Sequence, residues 1–303
     1  MTLKALFAAL ALLTAGCSRA ESELRQAPAL PSAPSEASAP SKNSAIAPSA
    51  DAGGSTSSPS SSAAASLEPV PAKPAGLPLL VGEPLVALEV PGFSPAIVAL
   101  PLGASSRKPV VVALHGNFDR PDWQCSVWAP IVAARAFVLC PRGAARRDVP
   151  KSWDRWEYHS GKAVQAELDA GIAALHARFG EYVDDGPLLF IGFSLGAIYG
   201  VPLVQKFPER FPRAVIIEGG LGAWSAATAK RYVKGGGQRL LIACGQLDCM
   251  ARIKTLVPAL ERAGLPTRGG GSPRAGHTYD GPVADVVAQN FQWLVEGDPR
   301  FEP

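Results

Sequence analysis

Residues 188–197 read Leu-Leu-Phe-Ile-Gly-Phe-Ser-Leu-Gly-Ala. A β-type apolar run over 188–191 passes through Gly192-Phe193-Ser194-Leu195-Gly196 into a helical pattern over 197–207. The two glycines let the chain turn tightly enough to lift Ser194 above the end of the strand, next to a helix N-terminus that favours negative charge. The bland alternative is an ordinary tight turn; the position between strand and helix favours a nucleophile. Outward from this point, short β-branched or Leu-rich runs at 85–90, 96–100, 110–114, 137–139, 214–217 and 240–243 alternate with amphipathic patterns at 125–134, 162–179, 252–263 and 283–295. This alternation predicts an α/β fold: a doubly wound, mostly parallel sheet with helices on both faces and its chemistry beyond the C-terminal strand ends.

A serine hydroxyl is a weak nucleophile unless a base takes its proton. Of four histidines, His277 lies in a loop before the last helical pattern and follows Ser194 in the chain. His176 falls within a helical pattern, and His159 lies in an aromatic loop ahead of Ser194. An acid is expected after an intervening strand. Asp248 follows the run 240–243 and is the expected orienter of His277, with Glu218, after 214–217, as its competitor. Asp184, Asp185 and Asp285 read as solvated charges. The run 110–114 ends in His115-Gly116-Asn117-Phe118, whose backbone should supply one oxyanion N–H, from Asn117 ahead of Phe118, with the other from Leu195. His115 is expected to bond the loop and fix its shape.

With these elements in order, residues 79–303 resemble the α/β-hydrolase family, most closely its dienelactone-hydrolase, carboxylesterase and polyester-depolymerase-like branch. The resemblance implies Ser-Asp-His acyl transfer on an ester substrate without a cofactor. One departure is the Gly-rich stretch 268–273, where the family has a β-branched strand; it predicts a weak edge strand and loosens the expected register of the His277 loop. No H-E-x-x-H or Cys/His ligand cluster is present in the sequence, so no metal is called for. The rival readings are a peptidase on the same fold and a non-catalytic surface binding module on a hydrolase scaffold.

The 303 residues carry a formal charge of +3, which is not a nucleic-acid footprint. Lys4 precedes an apolar stretch of export-signal layout ending in Leu13-Thr14-Ala15-Gly16-Cys17. This ending resembles the lipobox of bacterial lipoproteins, with Thr14 departing from the usual Leu or Val, and implies a signal peptide over 1–16 and acylation of Cys17. The alternative is an ordinary secretory signal. Several acyl chains, at about 0.8 kcal/mol per buried CH₂, anchor a protein stably. The expected location is the bacterial cell envelope; Ser18 is not the Asp that retains many lipoproteins in the inner membrane, so the resemblance favours the outer one. From Ser18 to Pro78, Ser, Ala and Pro make up 40 of 61 residues, a composition that reads as a disordered tether over 17–78 and leaves 79–303 as the catalytic domain.

Four cysteines remain for an oxidising compartment. Cys125 starts the helix after one central strand and Cys140 ends the next strand, so both should lie at the top of the sheet, and Cys244 and Cys249 flank the turn bearing Asp248; the expected bridges are Cys125–Cys140 and Cys244–Cys249, against four buried thiols. Trp123, Trp153, Trp156 and Tyr158 are expected to wall the substrate pocket, against a role as a structural cap. Arg142, Arg146 and Arg147 read either as contacts for an anionic substrate or as a solvated loop.

Overall fold

The computed structural model describes residues 76–302; the signal peptide, Cys17 and nearly all of the tether lie outside them. In chain order the elements are β1 (Leu85–Leu88), β2 (Ala96–Ala99), β3 (Val110–Leu114), α1 (Pro121–Val132), β4 (Phe137–Cys140), β5 (Ala144–Ala145), β6 (Trp156–Glu157), α2 (Gly161–Phe179), β7 (Leu189–Phe193), α3 (Leu195–Lys206), β8 (Arg213–Ile217), α4 (Ala226–Lys234), β9 (Arg239–Cys244), α5 (Leu247–Arg262), β10 (Thr267–Gly271) and α6 (Pro282–Val295). Eight strands form one sheet in the order β1-β2-β4-β3-β7-β8-β9-β10. The β1–β2 and β2–β4 pairs are antiparallel, and every later pair is parallel. This is the α/β-hydrolase fold.

The strands β3, β4, β7 and β8 are buried throughout, as strands covered on both faces must be. Along β3 the side chains alternate: Val111 and Ala113 pack with Trp128 of α1 and Phe291 of α6, whereas Val110, Val112 and Leu114 pack with Leu168 of α2 and Val201 of α3. From β3 the chain moves outward to β4, then returns past β3 to β7 and continues the other way to β8. The reversal lies between β3 and β7, and a doubly wound sheet opens its ligand crevice at such a point.

Both expected disulfides are present, with Cα separations of 6.0 Å for Cys125–Cys140 and 5.6 Å for Cys244–Cys249. The Gly-rich stretch forms a regular five-residue edge strand, β10, in parallel register with β9. Its glycines suit crowding by α5 and α6: a Cβ on Gly269 would stand 2.9 Å from a Val257 methyl and one on Gly270 would stand 3.0 Å from a Val286 methyl. Small size at the helix contacts, and not β propensity, explains this strand. Among the described residues no helix is long and apolar enough to cross a membrane.

Candidate active site

Ser194 occupies the turn between β7 and α3 with φ 48° and ψ −113°, a conformation rare for a residue with a side chain. Neighbouring backbone holds it there: the Ser194 N–H donates to the Ile217 carbonyl at 2.9 Å and its carbonyl accepts from Ile198 at 2.9 Å. Close approach by the next loops demands glycine. A Cβ on Gly116 would stand 2.7 Å from the Phe193 ring and 3.4 Å from the Ser194 Cβ.

His277 follows β10, and its Nε2 lies 2.8 Å from the Ser194 Oγ. Its ring rests 5.0 Å from that of Phe193 and is partly open to solvent. The Nδ1 faces the Gln246 Oε1 at 3.3 Å and the Glu218 Oε2 at 3.7 Å. Glu218 follows β8 immediately, with φ 50°, and its side chain is 2% exposed. Its other oxygen accepts from the N–H groups of Gly245 and Gln246, the latter at 2.8 Å. These bonds fix one oxygen of the carboxylate and leave the other facing the imidazole.

This arrangement corrects the expectation for Asp248. The helix α5 begins at Leu247, five residues before the expected start, so Asp248 lies in its first turn, exposed, and not in a loop above the sheet. Asp248 shares a shallow cleft with Glu218 but makes no hydrogen bond to His277 among the described residues. Both acids come after a strand and before His277 in the chain, so chain order did not separate them.

The Phe118 N–H is already committed to the Trp156 carbonyl at 3.1 Å, and the Gly116 N–H to the Asp119 Oδ2 at 3.2 Å. Among the described residues the N–H groups of Asn117 and Leu195 have no such partner; Leu195 directly follows Ser194, and Asn117 follows Gly116, whose backbone packs against the Ser194 Cβ. Asp119 pins the loop, because its Oδ1 also accepts from the Arg120 N–H at 2.8 Å and from the Tyr279 hydroxyl at 3.3 Å. Burial, reinforced by the Asp119 charge, raises the pKa of Tyr279, so its hydroxyl stays a donor. Asp119 and Gln246 were not anticipated. The sequence hint for Asp119 is its place two residues before Pro121, which opens α1.

The His115 side chain is fully buried, with Nδ1 2.7 Å from the Gly116 carbonyl and Nε2 2.8 Å from the Arg142 carbonyl. Burial pushes its pKa down against the raising effect of these bonds. It has no path to the Ser194 hydroxyl in these contacts, and it joins the β3 and β4 loops.

The four aromatics expected as a pocket wall divide into two pairs. Tyr158 is buried, stacks on His115 at 4.5 Å and donates to the Pro141 carbonyl at 2.8 Å, so it caps the loops and walls nothing. Trp156 is half-buried, with its backbone paired to Asp119 and its indole N–H on Asp154 at 2.7 Å. Trp123 and Trp153 are exposed. Trp153 meets Phe118 edge-on at 6.1 Å, and the Arg155 guanidinium lies 4.7 Å from the Trp123 ring and 5.5 Å from the Phe118 ring.

A hydroxyl in contact with an imidazole, a buried carboxylate behind that imidazole and two uncommitted N–H groups beside the hydroxyl are the parts needed for acyl transfer. Among the described residues the one cluster with metal-ligand side chains is Glu218, Cys244 and Cys249, and both its cysteines are in a disulfide. Thiolate ligation is therefore closed to it.

No family model matches the chain, and no curated protein matches it in sequence. Among solved structures, it is similar to an uncharacterised protein from Bacillus cereus ATCC 10987, at 12% identity and TM-score 0.50, over 63% of this chain and 60% of that one. It is also similar to poly(aspartic acid) hydrolase-1 from Sphingomonas sp. KT-1, at 15% identity and TM-score 0.48, over 71% of this chain and 99% of the other. A third is an S-formylglutathione hydrolase from Agrobacterium tumefaciens, at 18% identity and TM-score 0.47, over 70% and 94%. At 12% identity the first of these likenesses speaks to the fold and not to the reaction.

Proposed function

We propose that the chain is a serine hydrolase that cleaves a carboxylic ester through an acyl-enzyme on Ser194. The observation that carries this reading is the 2.8 Å contact between the His277 Nε2 and a Ser194 Oγ displayed on a left-handed turn at the sheet's reversal point. The Ser194 Oγ attacks the ester carbonyl while Nε2 takes its proton. The imidazolium so formed donates through Nδ1 toward Glu218 and Gln246, and the carbonyl oxygen gathers charge between the N–H groups of Asn117 and Leu195. His277 then returns the proton to the leaving alkoxide, and a water repeats the sequence to release the acid.

A fluorophosphonate probe tests the assignment. It should label Ser194 in the folded protein, and Ser194→Ala should lose both the label and about 10⁴-fold or more of ester turnover with little change in melting temperature. Activity retained by Ser194→Ala ends this reading.

We further propose export and lipid anchoring through Cys17, supported by Leu13-Thr14-Ala15-Gly16-Cys17 after an apolar run. Cys17→Ser should move the protein from the membrane to the soluble exported fraction. Continued sedimentation with membranes would refute the anchor without touching the chemistry.

A further inference from the structure

The β5–β6 hairpin carries a cleft of about 630 Å³ whose lining includes Arg146, Arg147, Lys151, Arg155, Asp154 and Trp156. Four of these are cations and one is a carboxylate. That carboxylate is already answered from outside the cleft, since Asp154 lies 3.0 Å from Arg120 and 4.0 Å from Arg142. Arg146 is likewise committed to Asp148 and to Glu157, the latter at 3.0 Å. Arg147, Lys151 and Arg155 make no ion pair among the described residues. The Arg155 guanidinium donates to the Trp153 and Asp154 carbonyls and lies over Trp123 and Phe118, which leaves Arg147 and Lys151 as the cleft's uncommitted cations among the described residues, a local concentration of charge in a chain that carries only +3.

The cleft is joined to the candidate active site. Arg146 donates to the Asn117 side-chain oxygen, and the Trp156 backbone bonds to that of Asp119 in both directions, at 3.1 and 3.4 Å. Its wall is thus continuous with the loop bearing the Asn117 N–H. Arg147 and Lys151 are exposed to solvent where they line this cleft, and the half-buried Arg146 and Trp156 line it with them. Guanidinium groups bind carboxylates through paired N–H donors, and charges as exposed as these make that attraction sensitive to salt.

We propose that this cleft binds an anionic group carried by the ester substrate itself, a carboxylate on an apolar stem, away from the bond that is cleaved. The inference rests on the ester-hydrolase reading above and names the substrate class for the same site. The test compares mono-p-nitrophenyl esters of α,ω-dicarboxylic acids, from succinate to sebacate, with the matching uncharged p-nitrophenyl alkanoates at low and high salt.

At low salt, kcat/KM for the anionic ester should exceed that of its neutral partner by roughly three- to tenfold at the chain length that spans the distance, mainly through KM. Salt should erase the advantage, Arg147→Ala with Lys151→Ala should abolish it, and Arg147→Lys with Lys151→Arg should retain much of it. An anionic-to-neutral ratio near one at every length, or one that the double alanine variant leaves in place, overturns the cleft assignment while neutral turnover upholds the esterase. Turnover of neither series, with no fluorophosphonate label, overturns the esterase itself.

Discussion

Strand β8 has a charged residue at each end, and the two ends differ in what faces the charge. At the N-terminal end Arg213 pairs with Asp298 at 3.0 Å, and both side chains are 7% exposed. Asp298 also accepts from Arg300 at 2.7 Å, and Arg300 continues to Asp184 at 2.9 Å. The network ties the segment after α6 to the bottom of the sheet, and each of its four charges has an opposite. At the C-terminal end Glu218 is as deeply buried, yet among the described residues its one ionisable partner is His277, which is partly solvated and touches Ser194. A closed network holds a fold together; a carboxylate with a titratable, exposed partner leaves room for a proton to move.

The contrast breaks most sharply on the two candidate acids. Glu218→Gln should lower kcat by about 10²- to 10⁴-fold, because the imidazole loses the charge that orients and stabilises it, whereas exposed Asp248→Asn should stay within roughly threefold of the parent. Kinetics on the same ester decide it, and a larger loss for Asp248→Asn would reverse the assignment made from geometry.

At the other end of β8, Asp298→Asn should cost about 3–5 kcal/mol of stability, since it leaves Arg213 buried without a counter-charge, yet leave kcat near the parent value in molecules that remain folded. Burial alone would raise the pKa of Asp298, but the hydrogen bonds and charges of Arg300 and Arg213 outweigh it and hold the carboxyl below its ordinary value. The folded state therefore binds this proton more weakly than the unfolded chain does. The resulting stability is fully present above the ordinary carboxylate range and drains away as pH falls through that range to the lowered value. Denaturant melts between neutral and acid pH should show this loss in the parent and less of it in Asp298→Asn.

The smallest effect belongs to the bridge behind Glu218. Cys244 and Cys249 bracket Gly245 and Gln246, whose N–H groups hold the Glu218 carboxylate. Replacing both cysteines with serine should cost about 2 kcal/mol by the loop-closure argument and lower kcat more than it raises KM. A stability loss with unchanged kcat would make the bridge a staple for α5 alone.

Much of this was legible in the sequence because it rests on local chemistry. Glycines on both sides of Ser194 permit one kind of turn; apolar runs of strand length between helical periods lead to a sheet covered on both faces; two cysteines at the ends of adjacent elements lie within bridging distance. What tertiary structure decided is where side chains point. Glu218 and Asp248 each come after a strand and before His277, but Glu218 takes a left-handed turn under His277 while Asp248 joins the first turn of α5 and faces solvent. Trp156 and Tyr158 follow the same logic: their aromatic cluster announces a loop over the sheet, yet only tertiary contacts stack Tyr158 on His115 as a cap and leave Trp156 half-buried in the lining of the hairpin cleft. The glycines of β10 suit a strand crowded by Val257 of α5 and Val286 of α6, a demand that arises only when these two helices pack against it. Spacing along the chain carries the order of the chemical groups; the direction in which each one faces depends on contacts that exist only after the sheet and its helices have packed.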